Sequence, residues 1–281
     1  YDVVIIGAGA AGLMCAMTAG QRGKTVLVLE RANKVGKKIL MSGGGRCNFT
    51  NMYAEPGNYL SQNPHFCKSA LSRYTQWDFI ALVEKHAIAY HEKSHGQLFC
   101  DNSSKQILAM LLDECEQVGV KIITRCELDK VECDHGFRLE TSLGVFHAKS
   151  LVVASGALSI PTLGGSDIGY RLARQYGMNV LPRRAGLVPF TLSGALKAMS
   201  ERLSGLSVSA RLTCGSVSFL EQLLFTHRGL SGPVVLQLSS YWREGEAISI
   251  DLLPEIDAAA LLSKAKQQQP RTLLRTILNA E

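Results

Sequence analysis

The sequence has 281 residues, 46% of them hydrophobic, and carries 30 lysines and arginines against 24 acidic residues. This length predicts one large or two ordinary domains, and the apolar fraction is enough for a sizeable core. An intrinsically disordered chain is excluded, because disorder combines low hydrophobicity with a high net charge. The formal net charge of +6 permits an anionic ligand or RNA without requiring either.

Eight cysteines are spread along the chain without a CxxC pair or a histidine at zinc-finger spacing. Free cysteine in apolar runs behaves as a small hydrophobe, so the pattern predicts a reduced cytoplasmic protein with no metal site. The longest uncharged stretch, residues 3–21, contains four glycines and no basic segment precedes it. It indicates a strand, a turn and a helix rather than a signal peptide or a membrane span.

The chain opens with a pattern typical of a βαβ unit. Residues 3–6 form an apolar run expected of a buried parallel strand, a helix follows, and residues 25–29 predict a second strand. Gly7, Gly9 and Gly12 stand at GxGxxG spacing between the first strand and the helix. Gly7 allows a tight turn, Gly9 lets a diphosphate approach the backbone, and Gly12 lets the helix pack on the strand.

Glu30 ends the second predicted strand. A carboxylate there can accept hydrogen bonds from the ribose hydroxyls of an adenine dinucleotide, and it argues against a 2′-phosphate. The glycine turn, its flanking elements and the terminal acid together predict a dinucleotide site, with NAD and FAD both open at this point. The alternative is a glycine-rich turn that binds nothing.

A second glycine-rich segment, residues 36–51, is the most unusual part of the sequence. Three consecutive glycines at 43–45 expose backbone N–H groups that can lie against a flat ring or a phosphate. Five cations in or just before this segment have no acid between them: Arg31, Lys34, Lys37, Lys38 and Arg46. We interpret the segment as a cradle for a diphosphate and a flavin, with a solvated basic loop as the alternative.

The later pattern predicts an α/β chain whose second part is rich in short strands. Residues 31–64 are expected to be mostly loop. The further predicted helices are 77–88, 103–117, 168–176 and 258–278. The further predicted strands are 121–141 with a break near 135, 151–154, 187–192, 206–213, 217–225 and 247–253. The predicted domains are 1–190, which is Rossmann-like, 191–253, which is an inserted β-rich domain, and 254–281, which begins a helical segment.

Four stretches together resemble the BaiN/RdsA family of FAD-dependent oxidoreductases. They are GAGAAG at 7–12, SGGGRCN at 42–48, VVASGA at 152–157 and LFTHRGLSGP at 224–233. The resemblance covers nearly the whole chain. It implies a flavoprotein fold of the two-dinucleotide-binding type, with a Rossmann-like FAD domain, an inserted β-barrel-like substrate domain and a helical piece. FAD would be bound non-covalently.

The resemblance also implies which residues hold the cofactor. The diphosphate and ribose contacts would be Gly7, Gly9, Ala10, Gly12 and Glu30. The flavin contacts would be Lys38, Ser42, Gly43, Gly44, Gly45, Arg46, Cys47 and Asn48. The remaining contacts would be Leu128, which meets the adenine through its backbone, and Ala154, Ser155 and Gly156, which close the site. Arg31 is added to the cofactor-binding set.

Family members share a C-terminal strand and a GGYN-like turn against the flavin ring. Neither pattern occurs in these 281 residues. We therefore expect the part that closes the FAD site to be missing from this sequence.

FAD would supply the redox chemistry, while the protein supplies position and protons. No second GxGxxG precedes a strand and helix, so NAD(P)H is expected to dock transiently at the flavin as the electron donor. The candidate general acids are Cys47 and His227. Arg46 is expected to lower the pKa of the neighbouring Cys47 thiol, and His227 lies in a glycine-flanked loop. Packing and structural roles for these two residues are equally open.

The family implies two kinds of substrate, a ribosomal RNA uridine that is reduced to dihydrouridine and a steroid-like enone attached to coenzyme A. In both reactions a hydride adds to an electron-poor C=C bond, and an acid protonates the neighbouring carbon. The basic residues favour RNA slightly, since the last helical pattern carries four cations and no acid: Lys264, Lys266, Arg271 and Arg275.

DNA and membranes are not expected as partners, and the oligomeric state stays open. A flavoprotein subunit of the fumarate-reductase type would need a histidine for covalent flavin, and residues 31–64 contain none. The non-enzymatic alternative is a scaffold that binds RNA without FAD.

Overall fold

The computed structural model describes residues 1–160 and 163–278. The chain forms two compact units, Tyr1–Leu181 and Pro182–Glu281. The boundaries expected after residues 190 and 253 do not coincide with this division, so the three-domain scheme remains a proposal.

The described part of the first unit contains ten short strands and six α-helices. Its strands are β1 (Val3–Ile6), β2 (Val26–Leu29), β3 (Asn48–Asn51), β4 (Tyr90–Glu92), β5 (Gln97–Cys100), β6 (Lys121–Ile123), β7 (Leu128–Cys133), β8 (Phe137–Thr141), β9 (Gly144–Ala148) and β10 (Ser150–Val153). Its α-helices are α1 (Ala10–Gln21), α2 (Lys37–Met41), α3 (Lys68–Arg73), α4 (Gln76–Lys85), α5 (Ser104–Gln117) and α6 (Ile168–Gln175).

A parallel sheet in the order β10-β1-β2-β6 forms the centre of this unit. Its strands are continuous apolar runs because both faces are covered. Ile5 and Val28 are fully buried in a core that they share with α1 and α5. Val4 and Leu27 are fully buried on the opposite face, in a core that they share with β7, β8 and α6.

Glu114 of α5 is a buried carboxylate that connects three helices. Its Oε1 accepts a hydrogen bond from Lys85 Nζ at 2.6 Å and lies 2.8 Å from His86 Nε2. Its Oε2 accepts a longer bond, 3.4 Å, from Gln21 Nε2 of α1. The bonds from Lys85 and His86 lower the pKa of this carboxyl below its usual range.

The segment 31–64 contains more regular structure than its sequence predicts. It holds α2, a 3₁₀ turn at Ser42–Gly45, β3 and a second 3₁₀ turn at Pro56–Asn58. The rest of the segment is irregular, as expected, and the elements of three to five residues were not predicted because they are too short to show a hydrophobic period. The strands expected over 121–141 are confirmed as β6, β7 and β8.

The second unit is an antiparallel sheet in the order β11-β14-β13-β12-β15. Its strands are β11 (Phe190–Thr191), β12 (Ser207–Cys214), β13 (Val217–Thr226), β14 (Gly229–Ser231) and β15 (Ser249–Asp251). Its helices are α7 (Gly194–Arg202), α8 (Pro233–Ser239), α9 (Ala258–Gln268) and α10 (Leu274–Leu278). The core of this unit includes Leu212, Leu223 and Leu238, which are fully buried. The predicted α/β class with a β-rich second part is confirmed.

Within the residues that the structure describes, no helix is long and apolar enough to span a membrane.

Candidate functional site

A cleft of about 470 Å³ opens at the carboxyl ends of β1, β2 and β10. The chain continues from β1 to β2 on one side, whereas β10 pairs on the other side, so the strand order reverses at β1. Ligands of open α/β sheets bind at this kind of switch point. The fold therefore places the cleft where a dinucleotide is expected.

Most of the residues assigned to the cofactor from the sequence line this cleft. They are Gly7, Gly9, Ala10, Glu30, Arg31, Lys38, Ser42, Cys47, Asn48, Leu128, Ala154, Ser155 and Gly156. The remaining assigned residues are not among its lining residues: Gly12, Gly43, Gly44, Gly45 and Arg46. The structure thus brings together residues from both glycine-rich segments and from two later strands.

The three glycines of the first turn have different surroundings. Gly7 has φ +105°, and a Cβ added there would lie 2.5 Å from the Ala154 carbonyl oxygen. A Cβ on Gly12 would lie 1.9 Å from the Gly7 oxygen, so α1 packs directly on the turn. A Cβ on Gly9 would meet nothing within 4 Å. Gly7 and Gly12 are therefore required by packing, while the space beside Gly9 is open to a ligand.

Glu30 is held at the rim of the cleft by two backbone groups. Its Oε2 accepts a hydrogen bond from the Ala8 N–H at 2.9 Å, and its Oε1 accepts one from the Ala32 N–H at 2.7 Å. Each carboxylate oxygen has two lone pairs, so both oxygens keep capacity for a ligand hydroxyl. The side chain is thus oriented before any ligand arrives.

The second glycine segment forms a tight left-handed turn. Gly43 and Gly44 have φ of 58° and 65°, with ψ of 31° at both, and Gly45 has φ of 88°. The Cys47 N–H donates to the Ser42 carbonyl oxygen at 3.0 Å and closes the turn. A Cβ on Gly43 would lie 2.6 Å from Cε1 of Phe99, so this glycine rests against an aromatic ring.

Cys47 lines the cleft but is otherwise enclosed, with 5% of its surface exposed. Burial raises the pKa of its thiol, and a hydrogen bond with Ser42 offsets only part of that effect. The expectation that Arg46 lowers this pKa is wrong, because Arg46 is exposed and desolvation of the thiolate dominates. A thiol with a raised pKa stays protonated at neutral pH, which suits a proton donor rather than a nucleophile.

An apolar wall, which the sequence reasoning missed, forms one side of the cleft. It consists of Met14, Phe49, Phe79, Ile107 and Leu111. The spacing of Ile107 and Leu111 predicts a buried face of α5, but nothing in the spacing separates a core face from a ligand-facing one. A flat apolar group could pack against this wall.

The hydroxyl of Ser155 is buried without a hydrogen-bond partner among the residues that the structure describes. Ser155 follows β10 and lines the cleft. Buried hydroxyls almost always have a partner, so an orphaned one at a cleft indicates a group that binds there. Nearby, Lys38 Nζ donates to Ser159 Oγ at 3.2 Å.

The lining carries more positive than negative side chains. The cations are Arg31, Lys34, Lys37, Lys38 and Arg171, and the acids are Glu30 and Glu127. This excess of positive charge favours an anionic ligand.

His227 lies in the second unit, on the two-residue turn between β13 and β14, and is exposed. The Thr226 hydroxyl donates to the Gly229 carbonyl oxygen at 2.8 Å and stabilises this turn. Across residues 1–160 and 163–278, no group of three or more His, Cys, Asp or Glu side chains is placed to hold a metal ion.

Comparison with known proteins identifies the family. Residues 1–224 match the HI0933-like protein Rossmann domain, and residues 184–280 match the HI0933-like protein barrel and H2TH domain. The chain is 55% identical to the ribosomal RNA dihydrouridine synthase of Escherichia coli strain K12 over 281 residues, which cover 99% of this chain and 70% of that protein.

Two further relatives extend the comparison. The ribosomal RNA dihydrouridine synthase of Haemophilus influenzae is 51% identical over 98% of this chain and 70% of its own length. The 3-dehydro-bile acid delta(4,6)-reductase of Clostridium scindens is 27% identical over 91% of this chain and 65% of its own length. The expected resemblance and the expected oxidoreductase class are confirmed, and the chain belongs to the HI0933-like family of Rossmann-fold proteins.

Proposed function

We propose that this chain acts in the cytoplasm as an oxidoreductase that reduces a uridine of ribosomal RNA to dihydrouridine. FAD would occupy the cleft of the first unit, and NAD(P)H would donate the electrons. The observation that carries the proposal is the cleft itself, with its open backbone at Gly9 and its unpartnered Ser155 hydroxyl. The proposed substrate rests on the 55% identity, over nearly the whole chain, to the ribosomal RNA dihydrouridine synthase of Escherichia coli.

The residues present fit FAD. Gly9 precedes the first turn of α1, where free N–H groups attract a diphosphate, and its missing Cβ leaves the space that the diphosphate needs. Glu30 presents both carboxylate oxygens for the ribose hydroxyls. The apolar wall at Phe49 and Phe79 suits a flat ring system.

When bound, FAD would take a hydride from NAD(P)H and deliver it to an electron-poor C=C bond. The residues around it would bind and orient. The Ser155 hydroxyl would donate a hydrogen bond to an acceptor atom of the cofactor, and Lys38 would balance the negative charge of the cofactor. The enclosed setting of Cys47 would exclude water from the reacting edge.

Reduction of uracil at C6 requires a proton at C5, and Cys47 is the first candidate donor. Its thiol faces the cleft and stays protonated at neutral pH because burial raises its pKa. A positioned acid typically contributes about 10²–10⁴-fold to the rate. His227 is the second candidate, because it is an exposed imidazole on the turn between β13 and β14 and imidazole is the side chain that most often serves as a general acid.

Single-turnover reduction of a ribosomal RNA fragment tests the assignment. We expect Cys47→Ala to slow dihydrouridine formation about 10²–10⁴-fold while NAD(P)H still reduces the flavin at the wild-type rate. Cys133→Ala, at an exposed cysteine outside the cleft, is the matched control and should behave as wild type. If Cys47→Ala and His227→Ala both form product at the wild-type rate, neither residue is the acid.

The second candidate substrate is an enone such as a 3-dehydro-steroid thioester. It is favoured by the 27% identity to a 3-dehydro-bile acid reductase. If the enone reoxidises the reduced flavin of the intact protein and RNA does not, the enone replaces RNA as the proposed substrate.

A further inference from the structure

Residues 52–77 link the end of β3 to the first turn of α4 within the first unit, and the two ends of this segment lie close together. Gln76 Nε2 donates to the Met52 carbonyl oxygen at 2.9 Å, which ties the two ends together. Inside the segment, Glu55 and Asn58 cap the 3₁₀ turn, and the buried Cys67 thiol lies 3.9 Å from the Pro56 oxygen. Residues 52–77 therefore form a compact excursion with its own internal contacts, and we call it the β3–α4 excursion.

This excursion exposes an unusual amount of aromatic surface. Seven aromatic residues of the described chain are among the exposed large side chains, and five of them lie here: Tyr53, Tyr59, Phe66, Tyr74 and Trp77. Tyr53 is 68% exposed and Trp77 is 57% exposed. Aromatic side chains normally bury most of their area, so a concentration of exposed rings marks a surface with a partner.

The excursion begins and ends at the apolar wall of the cleft. Phe49 precedes it in β3 and Phe79 follows it in α4; their ring centroids are 6.0 Å apart, and both line the cleft. The hydrogen bond between Gln76 and Met52 brings the two ends of the excursion together, and Tyr53 and Trp77 are the next residues in the chain. The Tyr53 ring also lies against the Gly96 backbone, since a Cβ on Gly96 would be 2.6 Å from its Cδ2.

The charges of the excursion complement a polyanion. Its exposed cations are Lys68 and Arg73. Its one acid, Glu55, caps the 3₁₀ turn, so the cations outnumber the acids by one. Exposed rings interleaved with cations are what unpaired RNA requires, because bases stack on aromatic faces while lysine and arginine track the phosphates.

We propose that the β3–α4 excursion binds an unpaired RNA strand and delivers it to the cleft, with Tyr53 and Trp77 as stacking residues. The inference rests on the proposed function and adds the surface that takes the substrate. A uridine must leave its stack before its ring can lie in the cleft, so stacking residues beside the cleft would stabilise its neighbours.

Binding of a fluorescein-labelled single-stranded oligoribonucleotide to the intact protein, followed by anisotropy, tests the proposal. Trp77→Ala and Tyr53→Ala should each weaken binding about 5- to 150-fold, the loss of one stacked base. Leu143→Ala is the matched control, because Leu143 is 55% exposed but lies on the turn between β8 and β9. Lys68→Gln and Arg73→Gln should each make the salt dependence shallower by about 0.7 in log–log slope.

A spectroscopic signal separates stacking from a general loss of structure. The chain has two tryptophans, so Trp242→Phe leaves Trp77 as the sole indole. Its emission should be quenched as the oligonucleotide binds, with the same midpoint as the anisotropy. Wild-type affinity in both aromatic variants, or unquenched Trp77 emission during binding, would overturn the stacking surface and leave the proposed function standing.

Two other outcomes would also overturn the inference. If the aromatic variants change the sedimentation of the protein and not its RNA affinity, the surface is a self-association face. If the wild-type protein binds no RNA at all, the surface and the RNA substrate of the proposed function fail together.

Discussion

Exchanging Gly9 and Gly12 separately for alanine should separate ligand binding from folding. The two glycines are three residues apart in the same turn, and alanine adds the same single carbon at each. At Gly12 that carbon would meet the Gly7 carbonyl oxygen at 1.9 Å, whereas at Gly9 it would meet nothing within 4 Å. The substitutions are therefore chemically matched and sterically opposite.

The size of each effect follows from these distances. With alanine at position 12, the new Cβ and the Gly7 carbonyl oxygen must move apart by about 1.1 Å to reach 3.0 Å, the shortest distance that real Cβ atoms show. Overpacking of this kind costs about 1–3 kcal/mol or more, which lowers the Tm by about 2–12 °C for a protein of this size. Alanine at Gly9 adopts an ordinary φ of −89°, so its cost should stay within about 0.5 kcal/mol.

Thermal unfolding of the FAD-free and FAD-saturated proteins measures both effects. FAD at about 100 times its Kd should stabilise the wild type by about 2.7 kcal/mol. Gly9→Ala should keep the wild-type Tm without FAD and lose this stabilisation, because its Cβ occupies the diphosphate position. A Gly9→Ala variant that binds FAD with wild-type affinity would refute the assignment of the turn, and a Gly12→Ala variant with wild-type Tm would refute the packing argument.

Three further outcomes are expected. Glu114→Gln should cost about 1.5–3 kcal/mol of unfolding free energy at pH 7. The pKa of this carboxyl is lowered in the folded protein, so the difference in unfolding free energy between variant and wild type should persist above the unfolded pKa near 4.3. This difference should vanish as acid protonates the folded carboxyl, and urea titrations across that pH range would show it. Cys47 should react with iodoacetamide far more slowly than the exposed Cys133 at pH 7.5, as peptide mass spectrometry would measure, and equal rates would contradict the enclosed, protonated thiol. Phe99→Ala should weaken FAD binding more than Phe99→Leu does in a fluorescence titration, because the Phe99 side chain packs against the left-handed turn at Gly43. Equal FAD affinities of the two variants would show that the turn does not depend on this contact.

The first glycine turn was predictable because its chemistry depends on local spacing. A strand–turn–helix–strand unit is the common arrangement for buried strands with glycines at these positions and an acid, Glu30, at a strand end. The structure has β1, α1 and β2 where the pattern predicts them. The separate surroundings of Gly9 and Gly12 were not visible in the sequence. They depend on the carbonyl of Gly7 and on β10, which is far away in the chain.

Cys47 shows where sequence proximity misleads. Arg46 is its neighbour in the chain, which predicts a lowered pKa, but burial among α1, α5 and β5 sets the direction instead. α8 has no counterpart among the predicted elements. Its two valines, Val234 and Val235, favour a strand, yet Pro233 at the first helical position and tertiary packing produce a helix.

The most direct test of the whole account is an anaerobic single-turnover reaction with the intact protein. Its bound flavin is first reduced with NAD(P)H, a ribosomal RNA fragment is added, and absorbance near 450 nm is followed while the RNA nucleosides are analysed by mass spectrometry. The account predicts that the flavin is reoxidised as the RNA gains an equal amount of dihydrouridine. A flavin that stays reduced in the presence of RNA, or that is reoxidised without dihydrouridine, would contradict it.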